Sequence, residues 1–532
     1  MGSGEPDVDV LVIGAGITGI YQLYEAREAG FSAVLLEAGD GVGGTWFWNR
    51  YPGARFDSES YTYGYLFSRE LFEEWEWTEH FAGQPEIERY LNHVVDRFDL
   101  RRDIRLGSRV AAATYDDGRW TVRTTAGDAI ETRFLVAATG VLSVPFLPDV
   151  PNRDAFSGTQ LHTGLWPAEP VELAGKRVAI VGTGSSGVQL VPAILDEVAS
   201  LTVYQRTANW CTPLNNSPIT AEEQARLRAD FAEIKQILDT SLAGFLHPPG
   251  DRKTADDPPD ERQAFYEEMW ARPGFGKIVS HYLDLTFDED ANAQWCEFVA
   301  AKIRAIVHDP EVAAQLIPDD HRFGEKRPPF VTGYFEAFND PKVSLVDLKK
   351  TPILSLTEDG IETVEGVREL DVIVWATGFD FGTGALARID LRGRDGRALS
   401  EAWRDGPTTY LGLQTAGFPN FFFPGGPHAA AGNNPRYNGD QVDFVTDLMV
   451  AARDRGAAAV EVTAESEDAW TAMIDRAARR PPSFTEKSYY FGTNVPGKPR
   501  KYLLNAAGRP KLLELFAASK ADDYRPFRFS AK

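Results

Sequence analysis

The sequence predicts an α/β protein built on two separate parallel sheets. An apolar strand, a glycine-rich turn and a helical stretch follow one another at Val8 and again at Arg177, and a run of helical periodicity separates the second unit from later strands. The 532 residues suffice for about three domains, each with its own core. With 43% apolar and 25% charged residues, and ordinary numbers of Gly (47) and Pro (33), disorder, collagen and coiled coil are excluded. Lys plus Arg number 55 against 78 Asp plus Glu, and the resulting net charge of −23 argues against nucleic acid or an anionic membrane as partner. The two cysteines, Cys211 and Cys296, cannot build a disulfide framework or a thiolate zinc site, so no metal is expected. The longest apolar stretches, such as residues 134–142, fall far short of the roughly 20 needed to span a bilayer, and the first residues lack a signal peptide's apolar core. A soluble, cytoplasmic protein is expected.

In the first unit Val8–Ile13 becomes continuously apolar, as a buried parallel strand does, and runs into Gly14-Ala15-Gly16-Ile17-Thr18-Gly19. Residues 17–29 place Ile20, Leu23 and Tyr24 at helical spacing and stop at Gly30, a natural helix terminator. The next strand ends in Glu37, 18 residues beyond Gly19, where a Rossmann-type unit places the acid that binds a ribose hydroxyl. Glycine is required at Gly14, Gly16 and Gly19 because a pyrophosphate approaches the free amides of a helix N-terminus, where a Cβ would obstruct it. This unit alone fits NAD or FAD. Gly43-Gly44-Thr45-Trp46 after the second strand, and Leu135-Val136-Ala137-Ala138-Thr139-Gly140 later, favour FAD, because two-dinucleotide flavoproteins use both segments.

The second unit begins with an apolar strand over Arg177–Val181, continues through Gly182-Thr183-Gly184-Ser185-Ser186-Gly187, and predicts a helix over residues 188–198. Its next strand ends in Arg206, 19 residues after Gly187, where the first unit carries an acid. A carboxylate there would repel a 2′-phosphate, whereas a guanidinium binds it through charge-assisted hydrogen bonds. The cofactor is therefore expected to be NADPH, and the economical function is hydride transfer from NADPH to flavin.

Between the units lies Phe156-Ser157-Gly158-Thr159-Gln160-Leu161-His162-Thr163-Gly164-Leu165-Trp166-Pro167, of the form F-x-G-x-x-x-H-x-x-x-W-P. This segment resembles the fingerprint of the type I Baeyer–Villiger monooxygenases, flavoenzymes that use NADPH and O2 to insert oxygen beside a ketone carbonyl. The resemblance extends through Arg50-Tyr51-Pro52-Gly53-Ala54-Arg55-Phe56-Asp57, Lys326-Arg327-Pro328 and Trp375-Ala376-Thr377-Gly378-Phe379-Asp380. It implies that reduced FAD and O2 give a C4a-peroxide whose anion attacks a ketone, yielding an ester or lactone.

Matched residue by residue, the resemblance implies that Arg327 is the active-site cation and Asp57 its orienting carboxylate. Lys326 would share the 2′-phosphate with Arg206, and His162 would couple the nucleotide domains rather than transfer a proton. Gly44, Thr45, Thr139 and Trp375 would border the cofactors, while Thr183, Gly184, Ser185, Ser186 and Gly187 would cradle the second pyrophosphate. Trp46, Trp48 and Tyr51 would pack near the isoalloxazine. Residues 484–500 resemble a loop that folds over NADP, with Tyr489 where many relatives have Trp, and Phe56 replaces a Cys of several relatives.

The expected fold is thus two dinucleotide-binding (Rossmann-like) domains, for FAD and NADP, with a helical insertion. The FAD domain takes residues 1–145 and 380–532, the NADP domain 150–219 and 325–379, and the insertion 220–324. The insertion opens on a capping-box pattern at Thr220 and Glu223, with Leu227, Phe231, Ile234 and Leu238 at helical intervals. Its Pro- and Asp-rich residues 247–260 predict a mobile loop. The rival functions are a flavin-dependent N- or S-oxygenase, a flavin reductase or oxidase making only peroxide, and a non-catalytic flavin-binding regulator. The pocket draws on residues 421–437, and the sequence does not define the ketone.

Overall fold

The computed structural model describes residues 5–429, 432–479 and 488–531. Val8–Ile13 lies between the parallel strands Ala33–Leu36 and Ala129–Ala137, with Ile104–Arg105 at one edge and Phe421–Phe422 added to Ala129–Ala137. Its apolar run is continuous because both faces are covered. Val10 and Val12 join the core that holds Leu23 and Phe134, while Leu11 and Ile13 join the one that holds Trp120 and Phe421. An antiparallel pair, Val110–Asp116 and Arg119–Thr124, extends from Ala129–Ala137 and carries Asp390–Arg392 at its far edge.

The second sheet is wholly parallel, in the order Val343–Asp347, Ser200–Gln205, Arg177–Val181, Val372–Trp375, Thr159–His162. Its glycine turn leads directly into the helix Ser185–Ile194, so the helix starts and stops earlier than residues 188–198. It ends two residues after Pro192, which has no amide to continue the ladder. The antiparallel strands Ile353–Leu356, Gly360–Thr363 and Gly366–Glu369, unmarked by any strong sequence pattern, precede the return to this sheet.

The segment 220–324 is helical. The Thr220 hydroxyl accepts from Glu223 N at 3.2 Å and the Glu223 carboxylate accepts from Thr220 N at 2.8 Å, closing the capping box. The periodicity that follows is split between Ala221–Ala229 and Phe231–Thr240. Farther on, Tyr266, Trp295 and Phe298 share one core with Val178 and Val191 of the second sheet and its helix. Residues 247–260 are held in place rather than loose. Thr254 donates twice to the Asp284 carboxylate, Arg252 pairs with Asp257 at 2.9 Å, and Tyr282 donates to Asp257. Pro259–Ala271 already begins within this stretch.

The chain crosses from the first sheet to the second and back along two adjacent strands of backbone. Phe146 N donates to Gly378 O at 2.9 Å, and Asp380 N to Val144 O at 2.8 Å. Residues 50–57 join the halves again by packing on the helix Ser185–Ile194: Tyr51 donates to Gln189 Oε1 at 2.7 Å, and Gln189 donates to Arg55 O at 3.0 Å. Gly53, at φ +81°, makes this approach possible, because a Cβ there would meet Gln189 O and the Ala193 methyl at 2.8 Å. Among the described residues no helix is long and apolar enough to cross a membrane.

Gly53→Ala is expected to destabilise the protein by about 1–3 kcal/mol, from left-handed backbone strain plus overpacking. A melting temperature equal to the parent's would show that the two halves do not depend on this contact.

Candidate active site

Each glycine turn divides its labour between packing and openness. A Cβ on Gly14 would lie 2.7 Å from Ala138 O, and one on Gly19 would lie 1.8 Å from Gly14 O, so these two glycines bring strand and helix together. The second turn repeats this: Gly182 meets Ala376 O at 2.4 Å and Gly187 meets Gly182 O at 2.2 Å. The middle glycines differ. Gly184 has nothing within 4 Å of its Cβ direction, and Gly16 meets only Gly44 backbone, at 3.5 Å. That open side, at the N-terminus of a helix with unsatisfied amides, suits a pyrophosphate. Gly44, at φ +55°, is confined in turn, since its Cβ would lie 2.7 Å from Gly16 Cα.

Glu37 is buried and closes the first turn. Its carboxylate accepts from Ala15 N at 2.7 Å and from Gly39 N at 2.8 Å. Burial pushes its pKa up, and these amides pull it back. A cavity of about 1250 Å³ runs from Gly14, Gly16 and Glu37 past Gly44, Thr45, Trp46 and Thr139 to Arg327 and Tyr489.

Arg327 lies on that cavity wall in a defined pose. Its guanidinium donates to Asp57 Oδ1 at 2.6 Å and to Pro328 O at 2.7 Å, and lies 4.3 Å from the Phe275 ring centroid and 5.3 Å from that of Phe330. The pair is neither sealed nor superficial, with side-chain exposures of 28% for Arg327 and 19% for Asp57. Tyr489 lines the same cavity and stacks edge-on against Phe381 at 5.3 Å. Burial pushes its phenol well above the ordinary range, against the pull of the Arg327 charge and backbone amide. Phe484 and the rest of residues 480–487 lie outside the described residues, as do Ala430 and Ala431 within 421–437.

At the second turn Thr183 donates to Thr207 O at 2.7 Å, and Ser185 and Ser186 start the helix. Arg206 is exposed at the end of its strand, and its charge, after burial, helps hold the Lys326 ammonium below the usual lysine range. Asp320, 4.0 Å from Lys326, opposes that shift. Two cations close enough to perturb each other, with Asp320 only at the 4.0 Å limit of ion pairing, suit a phosphate dianion.

Two expectations change. The Trp375 side chain does not reach the cavity. Side chains alternate along a strand, so Trp375 shares a core with Ile373 and Phe156, where it is 2% exposed and donates to Gln160 Oε1 at 3.0 Å. Tyr51 is likewise absent from the cavity lining, because its hydroxyl is committed to Gln189, whereas Trp46 and Trp48 do line it. Phe56 lies one layer behind, stacked 4.4 Å from Tyr63, which is itself on the wall. His162 is buried, and burial holds it below its ordinary pKa. Its Nδ1 accepts from Gly164 N at 2.9 Å and its ring meets Phe379 edge-on at 5.9 Å.

The expectation that the pocket draws on residues 421–437 holds, since Gly425, Gly426, Gly432 and Asn434 line the cavity. Sequence reasoning missed Asn438, one residue beyond that range, which donates to Thr18 Oγ1 at 2.8 Å. It also missed Phe275, Ile278 and Thr286 from the helical segment, for which the sequence carried no signal.

A first glycine turn opening on a cavity that reaches a guanidinium, and a second glycine turn of the same build, define a pyridine-nucleotide-linked flavoprotein. Comparison with known proteins narrows the class. The pyridine nucleotide-disulphide oxidoreductase family matches residues 11–242. The 2-oxo-Delta(3)-4,5,5-trimethylcyclopentenylacetyl-CoA monooxygenase of Pseudomonas putida is 43% identical over 88% of each chain. Acetone monooxygenase (methyl acetate-forming) of Gordonia sp. (strain TY-5) is 39% identical over 98% of this chain and 99% of its own. A phenazine N-monooxygenase of Lysobacter antibioticus is 39% identical over 98% and 96%. The crystal structure of OTEMO in complex with FAD and NADP has a TM-score of 0.95 at 40% identity, covering 99% and 100%. The chain belongs to the Baeyer–Villiger monooxygenases, NADPH-dependent flavoenzymes.

Gly184→Val is expected to leave the melting temperature and bound flavin unchanged while raising the NADPH KM by about tenfold or more, because the added methyls fill only the open side of the turn. A change in flavin content with an unchanged KM would show that this turn does not hold NADPH.

Proposed function

We propose that this chain oxidises ketones to esters or lactones with FAD, NADPH and O2, and that Arg327 is the group on which the oxygen transfer depends. The observation that carries the reading is the guanidinium held by Asp57 and Phe275 on the wall of a cavity that also reaches the first glycine turn. FAD, reduced by NADPH, supplies the activation of O2. The chain supplies the rest. Arg327 presents N–H donors and a fixed positive charge to the negative charge that develops as oxygen attacks the carbonyl, in a site partly shielded from water. Asp57 orients that guanidinium and takes no proton. Trp46, Trp48, Tyr63 and Tyr489 wall the cavity with apolar surface that excludes water from the reacting atoms. Arg206 and Lys326 hold the 2′-phosphate, and Gly182 to Gly187 the pyrophosphate.

The domain division follows the same reading: FAD domain 1–145 with 380–532, NADP domain 150–219 with 325–379, insertion 220–324. The strands of the two large sheets support it by falling on opposite sides of these limits. A cytoplasmic setting agrees with Cys211 and Cys296, which are both free. The likeness to a phenazine N-monooxygenase keeps heteroatom oxidation as the second reading, while Trp166-Pro167 in the fingerprint favours ketones.

A panel of linear, cyclic and aromatic ketones, scored together for NADPH consumption and product mass, should show one oxygen atom gained in the carbon skeleton. An N-oxide or sulfoxide from added amines or sulfides, with no ester or lactone, would select the second reading. Arg327→Ala should abolish ester or lactone formation with flavin still bound; product at the parent rate would remove Arg327 from this role.

Arg206→Ala should raise the NADPH KM about 10- to 100-fold and leave that for NADH unchanged, as loss of a charge-assisted contact to the 2′-phosphate requires. Lys326 adds a pH signature. Its ammonium, already below the usual lysine range, is lost as pH rises, and with it the attraction for the dianion. The NADPH KM should therefore climb toward alkaline pH in the parent and lose that limb in Lys326→Ala.

A further inference from the structure

Among the described residues, Lys277 is a buried cation with no carboxylate partner that the mechanism does not use. Lys277 has no solvent exposure. It lies on the short helix Gly276–Val279 between Phe275 and Ile278, both on the cavity wall. Its ammonium donates to Pro213 O and, at 3.3 Å, to Trp270 O, and lies 5.6 Å from the centroid of the Phe330 ring. That ring also carries the Arg327 guanidinium, at 5.3 Å, and meets Phe275 edge-on at 5.3 Å. Phe330 is tied to the same backbone that Lys277 grips: Thr212 N donates to Pro329 O at 3.1 Å and Val331 N to Thr212 O at 2.9 Å. The stretch that bears Arg327 is thus fixed from below by the 211–214 segment, with Lys277 joining that segment, the end of Pro259–Ala271 and the Phe330 ring.

No carboxylate forms an ion pair with Lys277 among the described residues. The groups that face it are the buried Cys211 thiol, two carbonyls and the Phe330 ring, with Arg327 and its partner Asp57 on the cavity side. An apolar side chain of the same length would avoid the cost of burying an uncompensated ammonium. Pure packing therefore does not account for a lysine here.

We propose that Lys277 is a positioning residue for Arg327, setting through Phe330 the pose in which the guanidinium faces the cavity. The proposal rests on the role given to Arg327 above. Burial lowers the Lys277 ammonium to about 7, so its grip weakens as pH rises through neutrality.

Lys277→Met keeps the chain length and removes the charge. The variant should bind FAD and keep the parent NADPH KM, because neither glycine turn is touched. Product formed per NADPH should fall about tenfold, as displacement of a catalytic group by a fraction of an ångström allows, with the balance of the electrons reducing O2 to hydrogen peroxide. Parent product yield should decline between about pH 6 and 8, and the variant should be flat there. In a Phe330→Leu background, Lys277→Met should cause no further loss. Parent-like yield in Lys277→Met, or a full additional loss in the Phe330→Leu background, overturns the proposal. If Lys277→Met does not retain flavin, the parent's pH profile decides, and a flat profile overturns it. Arg327→Ala separates the two claims. Ester formation in that variant removes the role of Arg327 itself, whereas an inactive Arg327→Ala beside an unaltered Lys277→Met removes only Lys277.

Discussion

The contact on which the architecture turns is the 2.6 Å hydrogen bond between the Arg327 guanidinium and the Asp57 carboxylate, two residues 270 positions apart in the chain. A charge pair left partly open to water contributes little stability by itself. Its importance lies in what must be assembled to make it. Asp57 ends a segment that packs on the second sheet's helix through Gly53 and Tyr51, and Arg327 follows the helical segment that supplies Phe275. Both sheets and the helices between them must therefore be in place before the guanidinium acquires its partners. The pair thereby reports on the fold as a whole.

The overall charge makes local placement of cations necessary. At −23 the protein repels an anionic dinucleotide at long range, but at physiological ionic strength that repulsion is screened beyond roughly 8–10 Å. Inside that distance a few fixed cations dominate. Lys326 and Arg327 are consecutive, so one stretch of backbone turns one cation toward Arg206 and the other toward the cavity. Burial weakens the first as a base without removing it. The second is shared between a carboxylate and two aromatic faces, which hold a guanidinium while leaving part of it accessible.

The parts of the fold legible in the sequence are those where backbone geometry forces a residue type. Gly14, Gly19, Gly182 and Gly187 are fixed by contacts under 3 Å that no side chain could survive, and Glu37 by the amides of its turn, so motif and structure coincide there. The boundaries of Ser185–Ile194 were less legible because the periodic apolar residues mark a helix face and not its ends. The insertion yielded its capping box but not the packing of residues 247–260, whose Pro and Asp content suggests a loop while Asp257 and Asp284 are spent on internal bonds. Phe275, Ile278 and Lys277 could not be assigned to the site at all. Their relevance comes from meeting Phe330 and Arg327 across some fifty residues of chain, a relation that local pattern does not encode.

Trp375 and His162 show how a motif can include residues that do not line the cavity it accompanies. They are partners in register on adjacent strands, Trp375 ending the strand that leads back toward the first sheet and His162 the one that precedes it. Trp375 binds Gln160 beneath the sheet, and His162 secures the turn at Gly164 while its ring rests on Phe379 of the returning crossover. The Phe379 carbonyl accepts from Asn494, and Lys498 bonds Asp380 and the Phe381 carbonyl, so the crossover also anchors the segment that carries Tyr489. A histidine whose pKa burial lowers, with one nitrogen committed to a backbone amide, is poorly suited to carry protons. It is well suited to a joint, because its ring rests on Phe379, whose carbonyl accepts from Asn494 in the segment that carries Tyr489.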